Sequence, residues 1–285
     1  MADCNPNCNT VAALLLAGGQ RLRQSGIGSA RLDAALLLMA VSGLGKTQLI
    51  THDRDLLPAE QCAQYFKLIE RRASGEPAAY LLGWRDFWTL TLKVTPDVLI
   101  PRPDTEILVE AALQHDFKSV LDLGTGSGAI ILALKKERPL CTACAVDKSE
   151  AALAAARENA RLNGSLEVEF LAGSWFEPLG GRLFDLIVSN PPYIAPGDRH
   201  LTQNGLNFEP QSALVAADNG YADLREIIAA APEHLTDGGY LLLEHGNTQH
   251  EITAQMMSKR GFTDIVGIKD YQGWVRCTQG RYYHH

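Results

Sequence analysis

The sequence lacks any apolar run approaching the roughly 18 residues that a membrane-spanning helix needs. No membrane partner is expected. Basic charge is also in short supply: 26 lysines and arginines face 33 acidic residues, for a net charge of −7. Phosphate contacts dominate nucleic-acid affinity and demand a basic face, so direct binding of nucleic acid is not expected. Arg71-Arg72 is too short a basic run to change that. Residues 1–10 (MADCNPNCNT) lack the charged start and apolar core of a secretory signal. A cytoplasmic location follows as an expectation, and the chain is taken as a monomer.

Cysteine is sparse, with six in the chain, and the one close pair argues against chemistry. Cys141 and Cys144 form a CxxC inside the strand-like stretch CTACAVD. Positions i and i+3 of a strand point to opposite faces, which a shared zinc ion or a disulfide does not tolerate. Cys4 and Cys8 lie in a terminus expected to fray. The closing pair His284-His285 is assigned no role.

What is present is ordinary globular material. Apolar residues make up 46% of 285, enough for one large or two ordinary domains. Residues 11–82 read as helical. Arg31 to Ser42 runs to Gly43, a suitable C′ residue. A later helix is expected to begin with Pro58 at its first position and to bury Cys62, Tyr65, Phe66 and Ile69 at helical spacing. From Gly83 the period changes: Leu90, Leu92 and Val94 alternate with Thr91 and Lys93, predicting a β-hairpin. IPRPDTE leads into a helix over 105–115, with Asp104 as its expected N-cap.

Beyond Lys118 strands and helices alternate. Strands are predicted at 119–123, 141–146, 166–171, 184–189, 240–244, 262–268 and 274–279. Helices separate the first five, so the sheet should be mostly parallel, with helices on both faces and ligands at the carboxyl ends of the strands. The division expected is a helical domain over 1–82, a hairpin over 83–100, and an α/β domain over 101–285.

Two constellations sit at those carboxyl ends. In LDLGTGSGAI, Gly124, Gly126 and Gly128 let a backbone turn sharply and let a ligand approach with no Cβ in the way. Asp147 ends the next strand, with 18 residues between Gly128 and it. Its carboxylate suits the two ribose hydroxyls of an adenosine group. Spacing alone does not choose between NAD and S-adenosylmethionine.

The second is SNPPYI. A strand that ends on Asn190 and two prolines cannot continue a ladder, because proline has no N–H and a fixed φ. The Asn190 side-chain oxygen and the Pro191 carbonyl become two acceptors for a planar –NH2 group. Pro192 stiffens the segment, and Tyr193 offers a ring for stacking. Two fixed acceptors would orient the delocalised lone pair of such a nitrogen toward an electrophile.

With these residues in hand, the chain resembles the HemK/PrmC family of protein-(glutamine-N5) methyltransferases along nearly its full length. The resemblance is carried by RRASGEPAAYLLGWRDFW, LIPRPDTE, LDLGTGSGAI, AVD, SWF, SNPPYI, FEPQSALVAADNG and LLLEHG. NPPY alone also occurs in adenine-N6 methyltransferases, whereas LIPRPDTE with NPPY and FEP is more restrictive. The resemblance implies a Rossmann-like class I S-adenosylmethionine-dependent fold with S-adenosylhomocysteine as product. It implies that Gly124, Thr125, Gly126, Ser127 and Gly128 hold the methionine end, Asp147 the ribose, and Trp175 the adenine. Asn190 and Pro191 would hold the substrate amide in a slot formed by Pro192 and Tyr193, with Arg102 and Glu106 shaping the mouth.

The partner implied is a peptide chain release factor offering a Gly-Gly-Gln loop, docked with help from the helical domain and hairpin. Gly18-Gly19-Gln20 in this chain is read as a coincidence within a helix. The sequence departs from the family at Ser127, where threonine is frequent, and at Ser174, where an aspartate is frequent and a carboxylate is therefore missing. The competing readings are a ribosomal-protein glutamine methyltransferase, an adenine-N6 methyltransferase, an NAD-dependent oxidoreductase that would leave NPPY idle, and a non-catalytic binding module.

Overall fold

The computed structural model describes residues 9–202 and 205–284. Cys4, Cys8 and His285 lie outside the described residues. The chain divides into two compact units, Met1–Gly83 with Thr202–Phe208, and Trp84–Leu201 with Glu209–His285.

The first unit is helical. Its first helix, Val11–Gln24, starts where the Thr10 hydroxyl accepts from the Ala13 N–H (3.3 Å). The second, Ala30–Ser42, stops at Gly43 in the left-handed region (φ 74°), as the sequence predicts. The helix Ala59–Ala73 begins one residue later than expected. Pro58 is its N-cap, because its ψ of 144° is extended rather than helical. Cys62, Tyr65 and Ile69 enter the core with Val11, Leu14, Leu37 and Leu38. Phe66 does not: it is 39% exposed, since one residue past Tyr65 turns about 100° away from the buried stripe.

The Gly-Gly-Gln of this unit has a packing explanation. A Cβ on Gly18 would lie 2.0 Å from the Tyr65 hydroxyl, which donates to the Leu14 carbonyl at 3.2 Å. Gly18 therefore lets two helices meet, while Gln20 is exposed on the helix surface.

The second unit opens with a hairpin, β1 (Trp84–Phe87) antiparallel to β2 (Leu90–Lys93). Leu90, Leu92 and Val94 are buried. A 3-10 turn, Pro103–Thr105, runs into the helix Glu106–Leu113. Asp104 is thus inside a helical turn and not its N-cap, and its carboxylate lies 4.0 Å from Arg276. Glu106 accepts from the Trp88 N–H at 2.8 Å, so it ties this helix to the hairpin.

Seven strands complete the unit: β3 (Ser119–Leu123), β4 (Thr142–Asp147), β5 (Glu169–Ala172), β6 (Phe184–Ser189), β7 (Leu235–Glu244), β8 (Thr263–Lys269) and β9 (Val275–Tyr282). Their spatial order is β5-β4-β3-β6-β7-β9-β8. The first five are parallel, and β9 runs antiparallel to both neighbours. β7 starts five residues before the predicted strand, because the pairing skips register between Phe184 and Leu186 and absorbs Gly238 (φ 77°) within the strand.

Side chains alternate across the sheet between two cores. Val120, Leu186 and Leu242 enter one, while Leu121, Ile187, Leu241 and Leu243 enter the other. The CxxC obeys the same rule: Cys141 packs in the first core and Cys144 in the second. His284 is held in place, its N–H donating to Asp237 (2.9 Å) and its ring meeting the Leu235 carbonyl (2.8 Å). Among the described residues no helix is long and apolar enough to cross a membrane.

Gly18→Ala forces the Tyr65 ring or a helix to move, and overpacking of this kind costs about 1–3 kcal/mol. Thermal unfolding should show a lower Tm for this variant, whereas Gly19→Ala, with open space at its Cβ, should not lower it.

Candidate active site

Strand order reverses between β3 and β6. β4 and β5 lie to one side of β3, and β7 lies beyond β6. A crevice opens at such a switch point, at the carboxyl ends of the strands. Here it is an open cleft of about 690 Å³. Gly124 and Gly126 line it after β3, Asp147 at the end of β4, Trp175 after β5, and Asn190 and Pro192 after β6.

The glycine turn is shaped by the strands it leaves. Gly124 donates to the Val146 carbonyl at 2.8 Å with φ 71°. A Cβ on Gly124 would sit 3.3 Å from the Trp175 ring, so glycine admits the tryptophan as well as a ligand. Trp175 is half-buried against the second core and keeps a positive φ of 45°. Thr125, Ser127 and Gly128 are absent from the cleft lining. The Thr125 hydroxyl turns inward and donates to Asp122 (2.7 Å). The Ser127 carbonyl accepts from buried Asn159 (2.9 Å). Gly128 packs against Leu132 and Ala156.

Asp147 is already engaged on both oxygens. Oδ2 accepts from the Gly126 N–H (2.8 Å) and Oδ1 from the Ser149 N–H (2.9 Å). A carboxylate has about four lone-pair sites, so two remain for hydroxyl donors. Next to it, Asp122 is buried, and its Oδ1 has no partner among the described residues. Burial pushes that carboxyl up to about 7, with the negative charge of Asp147 adding to the effect. Ser174 lines the cleft, and its N–H donates to the Glu177 carboxylate (3.1 Å).

β6 ends where Ser189 donates to the Leu123 carbonyl at 2.7 Å, which sets the start of NPPY beside the start of the glycine turn. The Asn190 amide nitrogen donates to Thr105 Oγ1 at 3.3 Å. No described donor reaches Asn190 Oδ1 or the Pro191 carbonyl. Pro191 and Tyr193 do not line the cleft. Burial pushes the Tyr193 hydroxyl pKa up, and the Tyr193 carbonyl accepts from Gln249 (3.2 Å).

Three anchors hold this segment. Gln249 is buried and bridges the Tyr193 and Gly220 carbonyls, both at 3.2 Å. A Cβ on Gly220 would lie 2.2 Å from the Tyr193 carbonyl oxygen. Ile194 pairs with Val215, which holds the wall that continues from FEP. The third anchor is Glu209 of FEP, buried, which accepts from the Ile100 N–H (3.0 Å) and pairs with Arg102. Arg102 therefore joins LIPRPDTE to FEP, and residues from both stretches' surroundings, Asp97, Leu99, Pro210 and Ser212, line the cleft.

Comparison with known proteins agrees with this architecture. Residues 13–83 match the family described as "PrmC N-terminal domain", and residues 114–282 match "Methyltransferase domain". The release factor glutamine methyltransferase of Vibrio cholerae is 47% identical, covering 96% of this chain and 97% of that protein. The protein of the same name from Escherichia coli is 47% identical, covering 90% and 93%. Among solved structures, a methyltransferase from Pyrococcus furiosus superposes with a TM-score of 0.53 at 19% identity, covering 75% of this chain and all but 2% of its own. That likeness speaks to the class I methyltransferase fold, and the near-full-length identity speaks to more: the chain belongs to the release factor glutamine methyltransferase family.

Proposed function

We propose that this protein transfers a methyl group from S-adenosylmethionine to the side-chain amide nitrogen of the glutamine in the Gly-Gly-Gln loop of a peptide chain release factor. One observation carries this reading. At the end of β6 two acceptors, Asn190 Oδ1 and the Pro191 carbonyl, have no donor among the described residues, and Asn190 borders the cleft. A planar –NH2 group is the chemistry that two adjacent acceptors recognise.

The residues present fit S-adenosylmethionine. Gly124 leaves backbone exposed where a side chain would clash. Asp147 keeps lone pairs for ribose hydroxyls, and Trp175 offers a ring for adenine. When bound, this cosubstrate supplies a methyl group already activated on a sulfonium. The chain's own part is positioning. Asn190 and Pro191 would draw the two N–H bonds of the glutamine amide toward themselves, weakening delocalisation and fixing the nitrogen's direction. Pro192 stiffens the segment through its fixed φ.

The helical unit exposes Leu16, Leu32 and Ile50, which supports a part in docking the protein substrate. A translation-factor substrate in turn supports a cytoplasmic site of action. The net charge of −7 favours a protein target over an adenine in DNA or RNA.

Incubation with purified release factor and labelled S-adenosylmethionine, followed by mass spectrometry, should map the label to the loop glutamine. Label on a ribosomal protein but not on release factor would overturn the assignment. Asn190→Ala should slow single-turnover transfer by on the order of 100-fold or more with S-adenosylmethionine affinity nearly unchanged by calorimetry. Asp147→Ala should instead weaken S-adenosylmethionine binding, by about 1.5–3 kcal/mol for lost bonds to a charged group.

A further inference from the structure

A side-chain amide is nearly symmetric in shape. Whether its oxygen or its nitrogen faces a ligand is decided by the groups around it. For Asn190 this choice is chemical: the oxygen toward the cleft accepts from a substrate –NH2, and the nitrogen toward the cleft would repel it. NPPY itself contains nothing that makes the choice.

Two residues from other parts of the unit do. Thr105, at the start of the helix Glu106–Leu113, is buried, and its Oγ1 accepts from Asn190 Nδ2 at 3.3 Å. A threonine hydroxyl has one proton of its own to donate. Glu244, the last residue of β7, is 4% exposed. β6 and β7 pair Ser189 with Leu243, so Glu244 and Asn190, the next residue of each, leave the sheet side by side. Glu244 Oε2 has no partner among the described residues. An ionised carboxyl is a pure acceptor, so beside Asn190 it favours the amide N–H over the amide oxygen, in the same sense as the bond to Thr105.

We propose that Thr105 and Glu244 are positioning residues that lock the Asn190 amide with its oxygen toward the substrate nitrogen. This rests on the amide-methylation reading above and deepens it. It assigns a reason to the co-occurrence of LIPRPDTE, NPPY and LLLEHG, since each contributes one member of the relay.

The charged groups facing Glu244 are Arg276 on β9, which favours its ionised form, and Asp104 beside Thr105, which opposes it. Tyr193 and Cys277 face it as well, and each is pushed up first by burial and then by the Glu244 charge. Burial dominates at Glu244 and raises its carboxyl to about 7. Below that value the carboxyl carries a proton, stops being a pure acceptor, and releases the lock.

Single-turnover methyl transfer to purified release factor tests this with T105V, T105S and E244Q, each checked for S-adenosylmethionine binding by calorimetry. T105V removes the hydroxyl acceptor. E244Q replaces one acceptor oxygen by an NH2 donor and removes the charge, so the side chain no longer favours the Asn190 N–H over its oxygen. Both should lose on the order of 100-fold in rate with binding of S-adenosylmethionine and release factor nearly unchanged, and T105S should restore the rate. The wild-type rate should fall as pH drops below about 7, and E244Q should flatten that limb relative to wild type, leaving only what Asp122, also raised to about 7, contributes. Wild-type rates in T105V and E244Q that still bind S-adenosylmethionine would overturn the proposal. Should neither variant bind it, a wild-type rate that stays level across neutral pH overturns it instead. A wild-type protein that transfers no methyl to release factor would remove the function itself, and this inference with it.

Discussion

The cleft depends on where β6 stops. Its last residue, Ser189, is buried and donates to the carbonyl of Leu123, the last residue of β3. That bond ties off the ladder of two parallel strands where the order turns from β3 to β6. Gly124 and Asn190 follow immediately on either side of it. A glycine turn that accepts a ligand and an amide that accepts a substrate thus share a single origin, a hydroxyl-to-carbonyl contact in the dry interior. Low dielectric makes such a contact strong, and leaving either group unpaired there would be costly.

Around that origin the protein spends buried polar groups on holding loops still. Gln249 clamps two carbonyls from separate stretches, Glu209 clamps an N–H and a guanidinium, and Asn159 reaches both the Lys93 backbone and the Ser127 carbonyl. Each is a side chain that replaces the ladder partner a loop does not have. Two of these clamps, Gln249 on Tyr193 and Glu209 on Ile100 and Arg102, hold stretches that supply cleft residues nearby, Asn190 and Pro192 in one and Leu99 and Pro210 in the other.

The sequence made the periodic parts legible. Strand alternation gave the five parallel strands, and the Gly43 stop and the CxxC facing rule followed from local geometry. It misjudged places where tertiary contacts outvote local preference. Phe66 reads as core by spacing but lies just past the buried stripe. Asp104 has the chemistry of an N-cap but sits inside a 3-10 turn opposite Arg276. The resemblance put Arg102 and Glu106 at the mouth, yet neither lines the cleft and each has an internal partner, Glu209 and the Trp88 N–H. For the cleft, the two strand ends were visible as NPPY and the glycine turn. Thr105, Gln249 and Glu244 were not, because an isolated threonine, glutamine or glutamate gives no local sign that it will be buried against a distant amide.

The cysteines carry a last consequence. Cys62, Cys141, Cys144 and Cys277 are free and buried, and burial raises the thiol pKa of each, to about 11 for Cys144. Only the thiolate attacks disulfides, peroxides and alkylating reagents. Burial and a raised pKa make these four sulfurs slow to react while the chain stays folded, so their labelling by an alkylating agent reports on opening of the cores that hold them.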